Sequence, residues 1–394
     1  MTKVILTINA GSSSIKFSLW EISDPHDLRE LWRGEIEKIG IAPRLLAHRS
    51  DGMRIVDRDL GQAASDLTHE QLLPRVFESL PPAPIRLFAI AHRVVHGGDK
   101  FQEAVRIEPH TLTEIEAFTP LAPLHQPHNL AGIRACARLR PDVPQVASFD
   151  TAFHHTMLPA ARRLGLPREF EAQGVRRYGF HGISYEYIAR RLRELDPELA
   201  AGRTIVGHLG NGASLCAMLG GRSIDTTMSF TPLDGLLMGT RPGTLDPGVV
   251  TYLMRTHRLS ADEIEQLLYH RSGLLGVSDI SSDMRALLAS DDRRAREAVE
   301  LFVFRAAREA AALVGSLGGL DGLVFTAGIG EHAPAIRAGI CARLGWLGLE
   351  VDEDANETGA QSIATAASRV RSYVVPTDEE RMLAEHALAL LDAG

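Results

Sequence analysis

The sequence predicts an α/β protein that is divided into two domains. The chain has 394 residues, which is more than one ordinary hydrophobic core accommodates. Stretches with the alternation of a β-strand are followed repeatedly by stretches with helical spacing, and this order is typical of the α/β class. Two similar hairpins with glycine-rich tips lie about half a chain apart, which indicates a duplicated domain.

The first hairpin is expected at the N-terminus. Residues 4–8 are apolar and rich in β-formers, and apolar and polar residues alternate over 15–19 as in a half-buried strand. The turn between them, residues 9–14, contains an Asn, a Gly and three Ser, so it is either an ordinary turn or a phosphate-binding tip. Lys16 begins the returning strand, whereas a Walker loop has its Lys at the start of a helix, and the sequence contains no GxxxxGK[ST] motif.

The second hairpin, TIVGHLGNGASLCAML, opens the other half of the chain and aligns Gly212 with Gly11. Other segments with clear patterns are a strand–loop–helix junction at 322–339 and helices at 185–195, 261–269, 293–317 and 379–391. We therefore expect an N-terminal domain over residues 1–150 and a C-terminal domain over residues 151–380. The last helix, 381–394, would complete the N-terminal domain.

Composition limits the partners and the location. The formal net charge of -8 argues against nucleic acid or an anionic membrane as a partner. No apolar stretch approaches the length of a membrane span, and no secretory leader is recognisable. Three cysteines without CxxC spacing indicate reduced thiols, so we expect a cytoplasmic protein.

Four residues are candidates for catalysis because of where they lie. Arg93 lies in a β-branched strand, where a guanidinium needs either an anionic ligand or a paired carboxylate, and both alternatives stay open. Asp150 ends an apparent strand, so it can hold metal in a cleft or cap the next helix. Arg241 lies in a stiff segment, MGTRPGTLDPG, of the kind that presents side chains to ligands. His181 precedes a glycine, which lets a ligand approach the backbone.

Two further motifs have competing explanations. Glu379 lies at a helix start, where the helix dipole by itself favours a carboxylate. A GxGxxA pattern over residues 328–333 follows a strand and opens a helix, and Glu350 lies near the spacing of a ribose-binding acid. An NAD-dependent dehydrogenase is therefore an alternative. Against it, the motif comes too late in the chain for a full doubly wound half and leaves both hairpins and both arginines unexplained.

Nine motifs follow one another from Asn9 to Glu380: NAGSSSIKF, HRVVHGG, PLHQP, FDTAFH, RRYGFHGIS, HLGNGAS, DTTMSFTPLDGLLMGTR, GIGEH and PTDEE. In this order they resemble the acetokinase family, within the actin and sugar-kinase ATPase superfamily. The resemblance covers essentially the whole chain. The sequence departs from the family's usual residues at several positions, among them Gln126 for Asn and Tyr185 for His.

The resemblance implies two actin-like (ribonuclease H-like) domains around a central nucleotide cleft, with the ATP phosphates between the paired hairpins. By motif, the implied ATP-binding residues are Lys16, His208, Leu209, Gly210, Asn211, Gly212, Asp283, Met284, Arg285, Gly328, Ile329, Gly330, Glu331 and His332. The implied catalytic residues are Asp150, Arg93, His181 and Arg241. The implied acyl-group residues are Arg93, Val95, Leu124, Phe180 and Pro232. Asn9 and Glu379 resemble the Mg²⁺ positions, with Mn²⁺ as a possible replacement.

The reaction implied is reversible transfer of the γ-phosphoryl group of ATP to acetate, giving acetyl phosphate and ADP by direct in-line transfer. Acetate is already ionised at neutral pH, like a Glu side chain with a pKa of about 4.3, so it needs no general base. The obstacle is repulsion between two anions, which Arg93 and Arg241 would offset. The resemblance also implies a homodimer. Propionate or butyrate kinase is the alternative within the family, and a non-catalytic actin-like ATPase is an alternative outside it.

Overall fold

The computed structural model describes residues 1–11, 14–24, 27–61, 67–80 and 84–392. The chain forms two compact units: the first comprises Met1–Phe153 and the segment that begins at Asp378, and the second comprises His154–Thr377. These limits differ from the predicted ones at 150 and 380. The limit near 380 differs because the last helix begins at Glu379 and belongs to the first unit along its whole length.

The described residues contain thirteen strands and sixteen α-helices. The strands are β1 (Thr2–Ala10), β2 (Ile15–Asp24), β3 (Asp27–Glu37), β4 (Arg44–Arg49), β5 (Arg54–Asp59), β6 (Ile85–Val94), β7 (Val105–Arg106), β8 (Gln145–Phe149), β9 (Arg203–Leu209), β10 (Ala213–Leu219), β11 (Arg222–Thr226), β12 (Gly322–Thr326) and β13 (Arg371–Val374). The helices are α1 (His69–Ser79), α2 (Pro109–Glu116), α3 (Gln126–Leu139), α4 (Pro159–Arg162), α5 (Arg168–Ala172), α6 (Gly182–Leu195), α7 (Pro197–Ala201), α8 (Pro247–Thr256), α9 (Ala261–His270), α10 (Gly273–Ser278), α11 (Met284–Leu288), α12 (Arg293–Leu317), α13 (Ala327–His332), α14 (Pro334–Arg343), α15 (Glu353–Glu357) and α16 (Glu379–Asp392). The α/β class is confirmed, and the four predicted helices are α6, α9, α12 and α16.

The first unit is built on a sheet of order β5-β4-β3-β2-β1-β6-β8-β7, as far as its residues are described. The neighbours β3, β2 and β1 pair antiparallel, whereas β1, β6 and β8 run parallel. The apolar side chains Val4, Leu6 and Ile8 of β1 form one core cluster with Leu72 and Leu73 of α1. The helix α16 contacts β1, β6 and β8. Parallel strands need cover on both faces, and this accounts for the nearly continuous apolar runs of β1 and β6.

The second unit repeats the central part of this arrangement. Its sheet has the order β11-β10-β9-β12-β13, in which β11, β10 and β9 pair antiparallel and β9, β12 and β13 run parallel. The same sequence of pairings relates β3, β2, β1, β6 and β8 in the first unit. The long helix α12 contacts β9, β10 and β11, and its buried side chains include Ala298, Phe302 and Ala306. This shared strand order supports the internal duplication.

The two hairpin tips differ in length. The last paired residues are Ala10 and Ile15 in the first hairpin, and Leu209 and Ala213 in the second. The second tip, residues 210–212, is therefore one residue shorter than the first, residues 11–14. The predicted alignment of Gly11 with Gly212 is therefore wrong as a structural register. No single residue offset can superpose both strands of the first hairpin on both strands of the second. Ser12 and Ser13 of the first tip lie outside the described residues.

Two expectations drawn from composition can be compared with the structure. No helix among the described residues is both long enough and apolar enough to cross a membrane. Cys136, Cys216 and Cys341 are free thiols, and all three are buried.

Candidate active site

In the first unit, Arg93 contacts two other predicted residues, Asn9 and Asp150. It lies near the end of β6, while Asn9 lies near the end of β1 and Asp150 directly follows β8. Because these three strands run parallel, their carboxyl ends bring the side chains to one edge of the sheet. Arg93 Nε donates to Asp150 Oδ1 at 3.0 Å and Nη2 donates to Oδ2, so the ion pair is bidentate. Arg93 Nη1 donates to Asn9 Oδ1 at 3.1 Å.

This ion pair is largely withdrawn from water. The side chain of Asp150 is 2% exposed and that of Arg93 is 19% exposed. Burial opposes the charge of Arg93, but the carboxylates of Asp150 and Glu379 outweigh it and raise the pKa of the guanidinium. The paired-carboxylate alternative for Arg93 therefore describes this structure. A guanidinium carries five N–H donors, so pairing with Asp150 does not prevent Arg93 from binding a further anion.

Glu379 begins α16 close to this pair. Burial raises the pKa of Glu379 to about 7, while the positive charges of Arg93 and Lys16 act in the opposite direction. Lys16 is exposed on β2 and lies opposite Asn9 in the hairpin register. Two residues predicted to hold metal and one predicted to bind phosphate are thus in the same unit as the Arg93–Asp150 pair.

The donor set at this edge fits a hard divalent cation. Mg²⁺ prefers carboxylate and amide oxygens, and Asn9 and Glu379 supply one of each. Burial disfavours the ionised form of Glu379, and a bound cation would restore it. Among the described residues no three His, Cys, Asp or Glu side chains surround one metal position.

Val95 follows β6 and is fixed by an amide that sequence reasoning missed. Asn129 Oδ1 accepts from the Val95 amide at 3.0 Å, and Asn129 Nδ2 donates to the Ala10 carbonyl at 2.8 Å. Asn129 therefore ties a predicted acyl-pocket residue to the end of β1. The available signal was a polar amide among the apolar residues of α3 that are buried, Leu130, Ile133 and Cys136. Leu124 lies half-buried in the turn before this helix.

In the second unit, two predicted catalytic side chains meet at the hairpin tip. A Cβ atom placed on Gly212 would lie 3.5 Å from His181 Nε2 and 3.6 Å from Arg241 Nη2. The absence of a side chain at Gly212 therefore leaves a small space that an imidazole and a guanidinium border. An imidazole ring, a cationic guanidinium and a backbone tip without a side chain form an arrangement suited to an anion.

The orientation of Arg241 depends on two neighbours. Its Nη1 donates to the Pro232 carbonyl at 3.0 Å, and its guanidinium carbon lies 5.9 Å from the ring centroid of Tyr269. Pro232 is buried. Tyr269 was not identified from the sequence, where nothing distinguished it from an ordinary apolar position of α9.

His181 is held at the start of α6 in an unusual conformation. It is the N-terminal cap of the helix, with a left-handed φ of 59°, which costs energy for a residue other than glycine. Its ring stacks on that of His208 with centroids 4.2 Å apart. Its Nδ1 lies 2.9 Å from Ser214 Oγ. The carbonyl of the preceding Phe180 lies 2.9 Å from His154 Nε2, and this contact fixes the backbone before the cap.

The tip of the second hairpin is shaped by glycines. The Gly210 amide donates to the Gly212 carbonyl at 3.2 Å, and the Gly239 amide donates to the Asn211 carbonyl at 2.9 Å. A Cβ atom on Gly239 would lie 1.8 Å from Asn211 Oδ1, so a larger residue at 239 would displace the Asn211 side chain. Leu209 is buried in the core, which leaves its backbone, rather than its side chain, to meet a nucleotide.

The predicted ribose and adenine residues lie on two short helices. Asp283 caps α11 by accepting from the Arg285 amide at 2.9 Å, and it pairs with Arg285 Nη2 at 2.7 Å. Met284 is buried between them, and the Arg285 side chain is 88% exposed. The residue type at 283 is thus explained by capping, and Arg285 is accessible to a ligand.

The other nucleotide candidates belong to α13. No atom lies within 4 Å of a Cβ placed on Gly328, whereas Gly330 is packed against Phe325. Glu331 Oε1 accepts from the Ala327 amide at 2.8 Å and from the Thr377 amide at 3.2 Å. This carboxylate stabilises the turn at which Ala327 has a φ of 64°. The remaining predicted positions are Ile329, which is half-buried, and His332, which is exposed.

The dehydrogenase alternative is not supported by the position of Glu350. In a dinucleotide fold the ribose-binding acid ends the second parallel strand of a βαβ unit. Here Glu350 follows a short 3₁₀ helix at Gly345–Leu347, and the next residue forms only an isolated bridge with Ala364. The next strand in the chain that pairs in parallel with β12 is β13, which begins later at Arg371.

Comparisons with known proteins agree along the whole chain. The sequence model of the Acetokinase family matches residues 4–385. An acetate kinase from Rhodopseudomonas palustris is 52% identical, with both chains covered over 100% of their length. The crystal structure of Porphyromonas gingivalis acetate kinase has a TM-score of 0.87 and 36% identity, covering 99% of this chain and 100% of that one. A propionate kinase from Francisella tularensis has a TM-score of 0.88 and 36% identity, covering 98% of each chain.

The fold, the two groups of site residues and these similarities define a class: kinases that transfer phosphate to a carboxylate. Within that class the chain belongs to the acetokinase family. The family recognised from the nine motifs is confirmed, and a dehydrogenase is excluded.

Proposed function

We propose that this chain catalyses the reversible transfer of the γ-phosphoryl group from ATP to acetate, giving acetyl phosphate and ADP by in-line transfer. The observation that carries the proposal is the meeting of His181 and Arg241 at the open tip of Gly212, in a chain of the acetokinase family. Relatives at 46–52% identity over essentially the full length are named acetate kinase, which supports acetate as the acceptor.

The proposed mechanism depends on neutralising charge rather than on moving a proton. The acetate oxygen attacks the γ-phosphorus and the bond to the bridging oxygen of ADP breaks, with no proton to remove from the ionised nucleophile. Arg241 offers N–H donors to the equatorial phosphoryl oxygens, and His181 Nε2 offers another. Arg93 binds the acetate carboxylate, and Asp150 holds that guanidinium through both of its oxygens. Bound Mg²⁺ would neutralise phosphate charge, with Asn9 and Glu379 as the residues that would hold it.

The four side chains predicted to surround the acyl group are apolar, two of them in each unit. Val95 and Phe180 are buried, as is Pro232, and Leu124 is half-buried. Apolar side chains of this size favour a methyl group over longer chains, but only modestly, because one methylene is worth roughly 1–3 kcal/mol. Propionate is therefore the second candidate substrate, and the similarity to the Francisella tularensis propionate kinase favours keeping it.

The first prediction ranks the substrates. Purified protein with MgATP and hydroxylamine should form the coloured acyl hydroxamate, with kcat/KM falling about 10-fold or more from acetate to propionate and again to butyrate. Chelation of divalent metal should abolish the product, and added Mg²⁺ should restore it. If kcat/KM for propionate equals or exceeds that for acetate, propionate replaces acetate as the proposed substrate. Release of ADP without any hydroxamate would contradict the kinase proposal.

The second prediction tests whether Glu379, and not the adjacent Glu380, is a ligand of Mg²⁺. Glu379→Gln should raise the Mg²⁺ concentration for half-maximal activity on the order of 10-fold, because a neutral amide is a weaker Mg²⁺ ligand than a carboxylate. Glu380→Gln is the matched control, because it removes the adjacent carboxylate of the same helix turn, and it should leave the Mg²⁺ requirement within about 2-fold. Equal shifts in both variants would mean that general negative charge, and not a ligand at Glu379, sets the requirement.

We also propose that the chain forms a homodimer in the cytoplasm. The helix α8 supports the dimer, since none of its residues is buried although Val249, Tyr252 and Met254 are exposed apolar side chains. Light scattering should give twice the chain mass of 42.9 kDa, and a monomer at micromolar concentration would contradict it. The three free, buried thiols agree with a reducing compartment.

A further inference from the structure

A chain of three side chains leads from the interior of the second unit to the candidate active site. The Tyr185 hydroxyl lies 2.5 Å from Ser214 Oγ, and Ser214 Oγ lies 2.9 Å from His181 Nδ1. Tyr185 and Ser214 are both fully buried. At the other end of the chain, His181 Nε2 lies 3.5 Å from the Cβ position of Gly212, beside Arg241. The imidazole thus joins a buried hydroxyl pair to the space at the hairpin tip.

The local fold explains why these groups meet. His181 and Tyr185 are one helical turn apart in α6, and the Tyr185 amide donates to the His181 carbonyl at 3.0 Å. Residues spaced in this way lie on the same helix face. Ser214 faces them from β10. In the hairpin register Ser214 pairs with His208. His208 in turn stacks on the His181 ring and bonds Ser184 Oγ through Nδ1 at 2.8 Å, so the plane of the His181 ring is fixed.

The direction of the hydrogen bonds follows from the chemistry of each group. Burial raises the pKa of Tyr185 well above its usual range, so the phenol keeps its proton and can donate it. Ser214 Oγ, at 2.5 Å, lies within reach of that proton and can accept it. Ser214 then has its own proton to give to His181 Nδ1. A neutral imidazole that accepts at Nδ1 carries its proton on Nε2, the nitrogen that faces Gly212.

We propose that Tyr185 and Ser214 are positioning residues that hold His181 in the tautomer with its N–H on Nε2, aimed at the transferring phosphoryl group. This inference rests on the proposed role of His181 in the kinase reaction. It gives a function to Tyr185, which appeared in the sequence only as a departure from the family's usual residue. In the opposite tautomer Nε2 would present a lone pair to an anion, and the interaction would become repulsive.

The test measures the tautomer of the His181 ring directly and kcat in a separate experiment. In full-length protein with ¹⁵N-labelled histidine, the His181 ring should show an accepting Nδ1 and a protonated Nε2 without any substrate bound. In Tyr185→Phe we expect a measurable population with the proton on Nδ1, because the Ser214 hydroxyl is free to turn and accept. The same variant should lose on the order of 10-fold in kcat with KM for MgATP within about 2-fold, as for other residues that orient a functional imidazole. Tyr185→His should recover part of the loss, since an imidazole N–H can also donate to Ser214.

Two controls make the outcomes decisive. Tyr373→Phe removes a phenol that donates to Asp196 at 2.8 Å elsewhere in the second unit, and it should change neither the His181 tautomer nor kcat. A wild-type ring with its proton on Nδ1, or an unchanged tautomer in both Tyr185→Phe and Ser214→Ala, would overturn the inference. A protein that forms no acyl phosphate would instead overturn the proposed function, and the tautomer measured without substrate would still confirm or refute the positioning role of Tyr185.

Discussion

Replacing Arg241 by Ala should lower kcat by at least about 100-fold, the size of effect expected when a preorganised donor to the transition state is lost. The guanidinium borders the space at Gly212 together with His181, and it is the cationic group there that can spread the charge of a transferring phosphoryl group. The fold of the second unit should survive, because Arg241 is half-buried and a water molecule can replace its bond to the Pro232 carbonyl. Steady-state kinetics with saturating MgATP and acetate measure the loss, and thermal unfolding measures the fold.

Two comparisons sharpen this prediction. Arg241→Lys keeps the charge but loses the planar fork, so it should recover only part of the rate. Arg308→Ala removes an exposed arginine of α12 in the same unit and should leave kcat unchanged. A near-normal kcat in Arg241→Ala would show that Arg241 takes no part in the reaction. The arrangement at Gly212 would then lack the cation that the mechanism requires.

Replacing Arg93 by Ala should impair both stability and catalysis. The Asp150 carboxylate would remain buried without its bidentate partner, and breaking such a pair by removing one partner costs about 3 kcal/mol or more of unfolding free energy. In the proposed mechanism kcat/KM for acetate should fall by at least about 100-fold, because the carboxylate loses its charge-assisted hydrogen bonds.

The double variant Arg93→Ala with Asp150→Ala separates the two effects. It removes the uncompensated charge, so much of the unfolding free energy should return while kcat/KM for acetate stays low. Recovery of activity together with stability would show that Arg93 is only a structural partner of Asp150. Chemical denaturation and acetate titration on the same preparations give both quantities.

Much of the local structure could be predicted because it depends on neighbouring residues. The limits of α12 agree with the helical spacing over residues 293–317, and the alternation over 15–19 predicted β2. Glycine-rich tips were recognisable as phosphate-binding candidates, since residue type alone indicates where backbone amides are accessible. The order of the motifs was sufficient to identify the family.

The candidate site could be predicted only as a set of separate residues. The sequence left Arg93 with two alternatives, because its partner Asp150 lies 57 positions away and meets it only through the parallel pairing of β6 with β8. The register of the second hairpin was misjudged, since tip length depends on which residues pair last. Tyr269 and Asn129 were missed because neither belongs to a motif that suggests chemistry.

The amino-acid sequence by itself determined the α/β class, the duplicated hairpins and the residue types available for phosphoryl transfer. The tertiary structure alone decided which of them meet: Arg93 with Asp150 and Asn9, and His181 with Ser214, Tyr185 and the tip at Gly212. The physical reason is the separation along the chain over which each kind of interaction acts. Alternation and turn chemistry act between near neighbours, whereas these contacts join residues of separate strands and helices, and they form only when the packing of the sheet brings those elements together.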